Sequence, residues 1–134
     1  MALATQLTLT LRNDPGALAG LCRDLADGGV NLLGLSALES DGPHGVIRLL
    51  VANPDLARPA LAKAGYAFQD EAVLFVELKN RPGALAKAAE KLARAGIAIR
   101  YAHATTYRQA QKTAAVIAVA PPDLERAGRL FAGQ

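Results

Sequence analysis

Residues Asn13-Asp14-Pro15-Gly16 stand between an alternating Leu/Thr run and an amphipathic segment, and their chemistry suits a small zwitterion. The first amides of a helix lack internal acceptors and carry partial positive charge, so they can bind a carboxylate. Gly16 has no β-carbon, which lets a ligand approach the backbone. Asp14 can pair with an ammonium group, and Asn31 offers both a donor and an acceptor. These groups together predict a site for an amino acid.

The same motif occurs a second time in the chain. Asn80-Arg81-Pro82-Gly83-Ala84-Leu85-Ala86 repeats residues 13–19 at a shift of 67, and the shift becomes 68 where Pro122-Asp123-Leu124 repeats Pro54-Asp55-Leu56. A supersecondary unit of about 65 residues is therefore written twice. We expect two domains, residues 1–70 and 71–134.

Hydrophobic spacing predicts the elements of each copy. Period-two alternation over residues 6–11 predicts a strand, and apolar residues at i, i+3 and i+4 after Pro15 predict a helix that Asn13 or Asp14 caps and Gly28 ends. The first copy continues as strand 30–38, strand 46–52, helix 53–64 and a short strand 66–68. The second copy reads as strand 72–78, helix 82–95, strands 97–107 and 113–120, and helix 122–131.

This β-α-β-β-α-β order predicts an α+β fold of two ferredoxin-like modules, each an antiparallel sheet in the order 4-1-3-2 with both helices on one face. Leu33 and Leu35 are predicted to point to the bare sheet face, which favours a homodimer. The last strand of the second module is expected to be missing. The apolar edge of residues 72–78 is then expected to be covered by another chain or by residues 66–68.

The strand, Pro-Gly turn, helix and Gly-Gly-Val-Asn sequence resembles the ACT domain, a small amino-acid-sensing regulatory module. The two copies resemble the small stand-alone tandem ACT proteins, which carry phrases like Gly45–Val51 and Gly96–Ala102. The resemblance implies ligand binding at the turn, across an interface between modules. It assigns that role to Asn13, Asp14, Pro15, Gly16, Ala17, Leu18 and Asn31, and in the second copy to Asn80, Arg81, Pro82 and Gly83.

The second copy departs from the first where Asp14 becomes Arg81 and Asn31 becomes Ala98. Arg81 can hold the carboxylate of a ligand, or the second site is degenerate or serves as an interface. A purely structural role is the alternative in both copies, with the asparagines as helix caps and the glycines as turn residues. Tyr101 and His103 share a strand face and either line a pocket or belong to the core.

Composition and motifs point away from catalysis. The 134 residues carry a net charge of +3 without a basic cluster, so nothing favours a nucleic-acid partner. Cys22 is the lone cysteine, which suits a reducing cytoplasm, and no apolar run suggests a signal peptide or membrane span. We find no metal-ligand spacing, phosphate-binding loop or nucleophile elbow, and therefore predict no enzyme, catalytic residue, metal or cofactor.

Two functions follow from these observations. The first is a cytoplasmic regulator of amino-acid metabolism that binds an amino acid at the Pro-Gly turn, forms a homodimer and has a metabolic enzyme as a further partner. The second is a ligand-free interaction module resembling the small subunit of acetolactate synthase, which acts through protein contact alone.

Overall fold

The computed structural model describes residues 3–133. Their order is strand, helix, strand, strand, helix, and then the same pattern again. The strands are β1 Leu3–Arg12, β2 Leu32–Glu39, β3 His44–Val51, β4 Gln69–Lys79, β5 Ile99–Thr105 and β6 Lys112–Val119. The helices are α1 Ala17–Asp27, α2 Pro54–Lys63, α3 Ala84–Arg94 and α4 Leu124–Leu130, with a 3-10 turn at Pro121–Asp123 before α4.

The chain divides into two compact units. The N-terminal unit is Thr5–Glu71, and the C-terminal unit combines residues 72–133 with Leu3 and Ala4. In the N-terminal unit β3 pairs antiparallel with both β1 and β2, and in the C-terminal unit β6 pairs antiparallel with both β4 and β5. These pairings are the 1-3-2 part of the predicted sheet order, and the predicted α+β fold of two ferredoxin-like modules is confirmed.

The core of the N-terminal unit lies between one sheet face and the two helices. Alternate residues of β1 and β3 point to that face, as the period of two predicts. Leu21 and Leu25 of α1 and Ala57 and Leu61 of α2 pack onto them. The strand residues of this cluster are Leu7, Leu9, Ile47, Leu49 and Val51.

The core of the C-terminal unit follows the same plan with different side chains. Ala88 and Leu92 of α3 and Ala127 of α4 meet alternate residues of the sheet. Phe131, directly after α4, is 1% exposed and is the largest side chain of this cluster. The strand residues of this cluster are Leu74, Val76, Leu78, Ala115, Ile117 and Val119.

The prediction that Leu35 points away from the helices is wrong. The register of β2 against β3 shifts between Leu32 and Gly34, so that Leu32 and Leu35 both pack against the helix-side core. A one-residue irregularity reverses the facing of every later side chain in the strand. Leu33 is 58% exposed. After the register shift Leu38 lies on the helix-free face of the sheet, where it is 63% exposed.

The predicted short strand at residues 66–68 is also wrong, because the chain from Gly65 to Phe68 is irregular and β4 begins at Gln69. Within residues 3–133 no strand follows α4. Leu3 packs against the C-terminal core, and a β-carbon on Gly128 would lie 3.3 Å from its side chain. The start of β1 therefore belongs to the C-terminal unit, whereas residues 66–68, which we expected to cover the edge of residues 72–78, belong to the N-terminal unit.

Polar contacts fasten residues 66–71 to the helices of the N-terminal unit. The Tyr66 hydroxyl donates to Asp24 Oδ2 at 2.9 Å, and burial together with this bond raises the pKa of the phenol. Arg58 Nη2 lies 2.7 Å from Asp70 Oδ2 and its Nη1 lies 2.9 Å from Asp55 Oδ1. The hydrogen bond from Arg58 lowers the pKa of the Asp70 carboxyl below its ordinary value.

Gly28→Ala should destabilise the N-terminal unit, whereas Gly20→Ala should stabilise it. A β-carbon on Gly28 would lie 2.7 Å from the Ala60 β-carbon, where helices α1 and α2 meet, but one on Gly20 meets nothing within 4 Å. We expect a loss of about 1–3 kcal/mol for the overpacked Gly28 variant. The exposed helical Gly20 variant should gain about 0.5–1 kcal/mol. Urea unfolding measures both, and equal effects of the two substitutions would contradict this packing.

The ion pair of Asp70 with Arg58 should stabilise the N-terminal unit near neutral pH, and this contribution should be lost in acid. A carboxyl whose pKa is lowered by folding contributes stability above its ordinary pKa of 3.8, and that contribution is lost as the pH falls through the lowered value. Asp70→Asn should therefore show a smaller decrease in unfolding free energy between pH 7 and pH 3 than the wild type. Asp41→Asn, which removes an exposed carboxylate without an ion pair among residues 3–133, is the control and should behave like the wild type.

Candidate functional site

The turn between β1 and α1 is a type II turn. The Ala17 amide donates to the Asp14 carbonyl at 3.1 Å, Pro15 occupies the second position, and Gly16 has φ +84° and ψ −9°. Type II turns need a positive φ at the third position and therefore favour glycine there. The prediction that Asn13 or Asp14 caps the helix is wrong, because Gly16 is the N-cap residue and no side chain caps α1.

This turn leaves amides at the start of α1 without acceptors. The Ala17 amide is used by the turn, and the Gly20 amide donates to the Gly16 carbonyl at 2.9 Å. Within residues 3–133, the amides of Leu18 and Ala19 have no such backbone acceptor. Two neighbouring donors at the positive end of a helix dipole can bind a carboxylate.

A cavity of about 270 Å³ lies beside this turn, within the N-terminal unit. Its charged lining is Arg12, Asp14 and Glu39, and Arg12 Nε lies 3.0 Å from Asp14 Oδ2 in an exposed ion pair. The volume is near the lower end of small-molecule sites, about 300–1,000 Å³. The other residues that line it are Leu11, Asn13, Ala17, Leu18, Ala37, Leu38, Gly45 and Ile47.

The structure brings most of the predicted first-copy residues together, but not all of them. Asn13, Asp14, Ala17 and Leu18 line the cavity, and Pro15 and Gly16 form the adjacent turn. Asn31 lies at the other end of the sheet, where its carbonyl accepts from the Ala52 amide at 3.0 Å. Because β1 and β2 both run antiparallel to β3, the start of β2 is about 25 Å from the end of β1.

Glu39 and Arg12 are lining residues that the sequence reasoning missed. The position of Glu39 could have been predicted from the sequence. In the strand order 1-3-2 the first and second strands run parallel to each other, so both strands finish at the same end of the sheet. Glu39 is the last residue of β2 and Arg12 the last residue of β1. The two strand ends therefore bring opposite charges to one cavity.

The second copy has the same turn with different surroundings. The Ala84 amide donates to the Arg81 carbonyl at 3.3 Å, and Gly83 has φ +89° after Pro82. Asn80 Nδ2 donates to the carbonyl of Ala110 at 2.8 Å, so this side chain joins two segments of the chain. Arg81, Pro82 and Gly83 line a separate groove of about 800 Å³.

Tyr101 and His103 were expected either to line a pocket or to belong to the core. Tyr101 and His103 are half-buried on the helix-free face of β5, and neither lines the cavity or the groove. Among residues 3–133, no cluster of histidine, cysteine, aspartate and glutamate could hold a metal ion. No helix in that part of the chain is long and apolar enough to cross a membrane.

Comparison with known proteins defines the class. Residues 1–119 match the family model of the ACT domain pair, and the chain therefore belongs to this family. Protein BT0572 from Bacteroides thetaiotaomicron has a similar structure, with a TM-score of 0.85 and 29% identity over 96% of this chain and 86% of that one.

More distant structures share the fold. The ligand-free regulatory subunit of aspartate kinase from Thermus thermophilus has a TM-score of 0.64 and 18% identity, over 97% of this chain and 95% of that one. The corresponding Thermus flavus subunit has a TM-score of 0.57 and 19% identity, over 98% and 95% of the two chains. A comparison with curated proteins found no match.

Gly16→Ala should destabilise the N-terminal unit by about 1–2 kcal/mol, because a left-handed conformation costs about that much for a residue with a β-carbon. Space is not the cause, since a β-carbon on Gly16 would meet nothing within 4 Å. Gly16→Asn is the matched variant and should lose less, because asparagine tolerates this conformation. Thermal unfolding compares the two, and an equal loss would show that the backbone angle is not the cause.

Proposed function

We propose that this protein is a regulator that binds an amino acid in the cavity at the end of β1. The observation that supports this most directly is the arrangement of its lining. Donor amides at the start of α1 and two carboxylates, Asp14 and Glu39, border the same small cavity. A free amino acid carries the two charges that such a cavity can accept.

The carboxylate of the ligand would bind to the helix start. The amides of Leu18 and Ala19 are available for it, and the dipole of the 11-residue helix α1 favours a negative charge there. Hydrogen bonds to a charged group contribute about 1.5–3 kcal/mol each, more than neutral ones do. The backbone alone therefore supplies a substantial part of the binding energy.

The ammonium group and the side chain of the ligand would face the remaining walls. Asp14 and Glu39 provide negative charge, while Leu11, Leu18 and Ile47 provide apolar surface. Arg12 holds the Asp14 carboxylate at 3.0 Å, which fixes its position beside the cavity. This lining favours a small aliphatic amino acid over a large or strongly charged ligand.

Regulation would follow from where the cavity lies. Its walls come from the end of β1, the start of α1 and the hairpin of β2 and β3, so a bound ligand would contact all of these elements at once. We further propose a homodimer in which Asn31 of another copy completes the site, and a metabolic enzyme as the partner. The structures from Thermus are named as regulatory subunits of aspartate kinase, and this supports the proposed kind of partner.

Titration calorimetry with each of the twenty amino acids is the test. We expect one chemical group of amino acids to bind the wild type. The double variant Asp14→Asn, Glu39→Gln should bind the same ligand at least tenfold more weakly, because losing one charged hydrogen bond costs about 1.5–3 kcal/mol, about tenfold or more in affinity.

Glu125→Gln is the matched control for this experiment. Glu125 is a carboxylate of α4 with 89% of its side chain exposed, in the other unit. Its variant should bind like the wild type. Absence of binding by all twenty amino acids, or equal binding by the double variant, would contradict the proposed site.

A further inference from the structure

The cations of the protein are concentrated in the C-terminal unit. Residues 72–133 carry ten lysines and arginines and four carboxylates, whereas residues 5–71 carry five and eight. Three of the four carboxylates in the C-terminal unit are already held by cations at 2.9–3.1 Å. Seven cations of this unit therefore have no ion pair among residues 3–133. The three ion pairs are Glu77 with Lys112, Asp123 with Arg126, and Glu125 with Arg129.

Five of these seven cations line one groove of about 800 Å³ beside α3. The sequence spreads them over residues 79–94, and the fold brings them to a single surface. With Glu77 and Glu90 also counted, the lining keeps an excess of three positive charges. A zwitterionic amino acid has no net charge and would leave this excess in place. The five cations are Lys79, Arg81, Lys87, Lys91 and Arg94.

The cations are distributed along the length of the groove. Lys87, Lys91 and Arg94 are spaced at four and three residues, so they share one face of α3 and span about 10 Å along its axis. Lys79 and Arg81 lie at the other end, where β4 passes into the Pro-Gly turn. Charges separated in this way favour a ligand with several anionic groups in a row.

The Pro-Gly turn adds uncharged donors to the cations at its end of the groove. Gly83 is the N-cap residue of α3, and no side chain caps this helix. Within residues 3–133 the amides of Leu85 and Ala86 have no backbone acceptor, and Ala86 lines the groove. Phosphate oxygens accept hydrogen bonds from amides in this position. The donors and the cations therefore favour the same kind of anionic group.

The groove is larger than an amino acid needs, and its floor is apolar. Its volume is about three times that of the cavity at the end of β1 and lies within the range of small-molecule sites, about 300–1,000 Å³. Val76, Leu78 and Phe131 are buried beneath it, and Lys91 Nζ lies 5.4 Å from the centre of the Phe131 ring. Walls of low dielectric constant strengthen the attraction of such cations for an anion.

This positive charge belongs to the second copy of the repeat alone. The positions of α1 that correspond to the three cations of α3, 67 residues earlier, are Gly20, Asp24 and Asp27. The same helix face is therefore acidic in the first copy. Because the two copies share their backbone turn and differ in this charge, the groove calls for a ligand of a different class from the one proposed for the first copy.

We propose that this groove binds a nucleoside diphosphate or triphosphate. The phosphate groups lie along the cations of α3 and the turn, and the nucleoside occupies the remaining volume. Arg100 and Arg108, the other two of the seven cations, are not part of the groove. This favours a compact ligand over a nucleic-acid strand, which needs a continuous positive path. The groove and the amino-acid cavity lie in different units, so either proposal can fail without the other.

Titration calorimetry with AMP, ADP and ATP, without added divalent cations, tests the proposal. We expect affinity to rise with each phosphate and to fall as salt rises. Lys87→Glu with Arg94→Glu should weaken the binding of ATP at least tenfold. Arg100→Glu with Arg108→Glu makes the same change in net charge at exposed residues outside the groove and should have little effect. Thermal unfolding of both double variants checks that they are folded.

Two further measurements separate a nucleotide site from attraction by charge alone. Inorganic triphosphate should bind at least tenfold more weakly than ATP, because it leaves much of the groove empty. Amide resonances of residues 83–94 should shift with ATP, and those of residues 13–19 should not. Equal binding by ATP and AMP, by ATP and inorganic triphosphate, or by the wild type and the Lys87→Glu, Arg94→Glu variant would overturn the proposal. Displacement of ATP by a short single-stranded RNA at a lower molar concentration would overturn it in favour of nucleic acid.

Discussion

A glycine at positive φ in a Pro-Gly type II turn is the constraint on which both units depend. Gly16 and Gly83 have φ +84° and +89°, and each occupies the third position of a turn between a strand and a helix. This turn uses the first helical amide itself and provides no side-chain cap, so the next amides stay available. The turn that ends the strand is thus also the feature that leaves donor amides available at the start of the helix.

The same backbone turn occurs in both units, but the charged residues around it differ. In the N-terminal unit the turn borders a small cavity with both charges, whereas in the C-terminal unit it borders a long groove with an excess of cations. The turn glycine and the apolar core are common to both units. The exposed face of the first helix in each unit is free to vary, and Asp27 in one copy stands where Arg94 stands in the other.

Local signals in the sequence were sufficient for most of the fold. Asn53 was expected to begin a helix with Pro54, and its Oδ1 accepts from the Asp55 amide at 3.0 Å. The facing of Leu35 was not predictable from alternation alone, because a register shift depends on pairing with β3, although Gly34 at the shift is the kind of residue that often marks a bulge in a strand. Tyr66–Phe68 resembled a strand because aromatic residues favour strands, but the Tyr66 hydroxyl and its ring pack against α1 and the core instead.

The candidate site was predictable where it depends on the turn, and less so where it depends on neighbours. Asp14 and Leu18 follow directly from the motif, and both line the cavity. Glu39 comes from a strand about 25 residues later, and only the direction of β2 relative to β1 brings it there. The groove of the C-terminal unit required the packing of α3 beside β4, which composition does not encode.

The membership of Leu3 and Ala4 in the C-terminal unit has a consequence for biosynthesis. On the ribosome these residues are made before residue 72, yet the core that Leu3 packs against includes Phe131. The N-terminal unit has all its residues once Glu71 has been synthesised, whereas Leu3 gains its full set of core neighbours only when Phe131 has also been synthesised. The order of synthesis and the order of assembly therefore differ, because the unit that is translated second includes Leu3 and Ala4 from before the first unit.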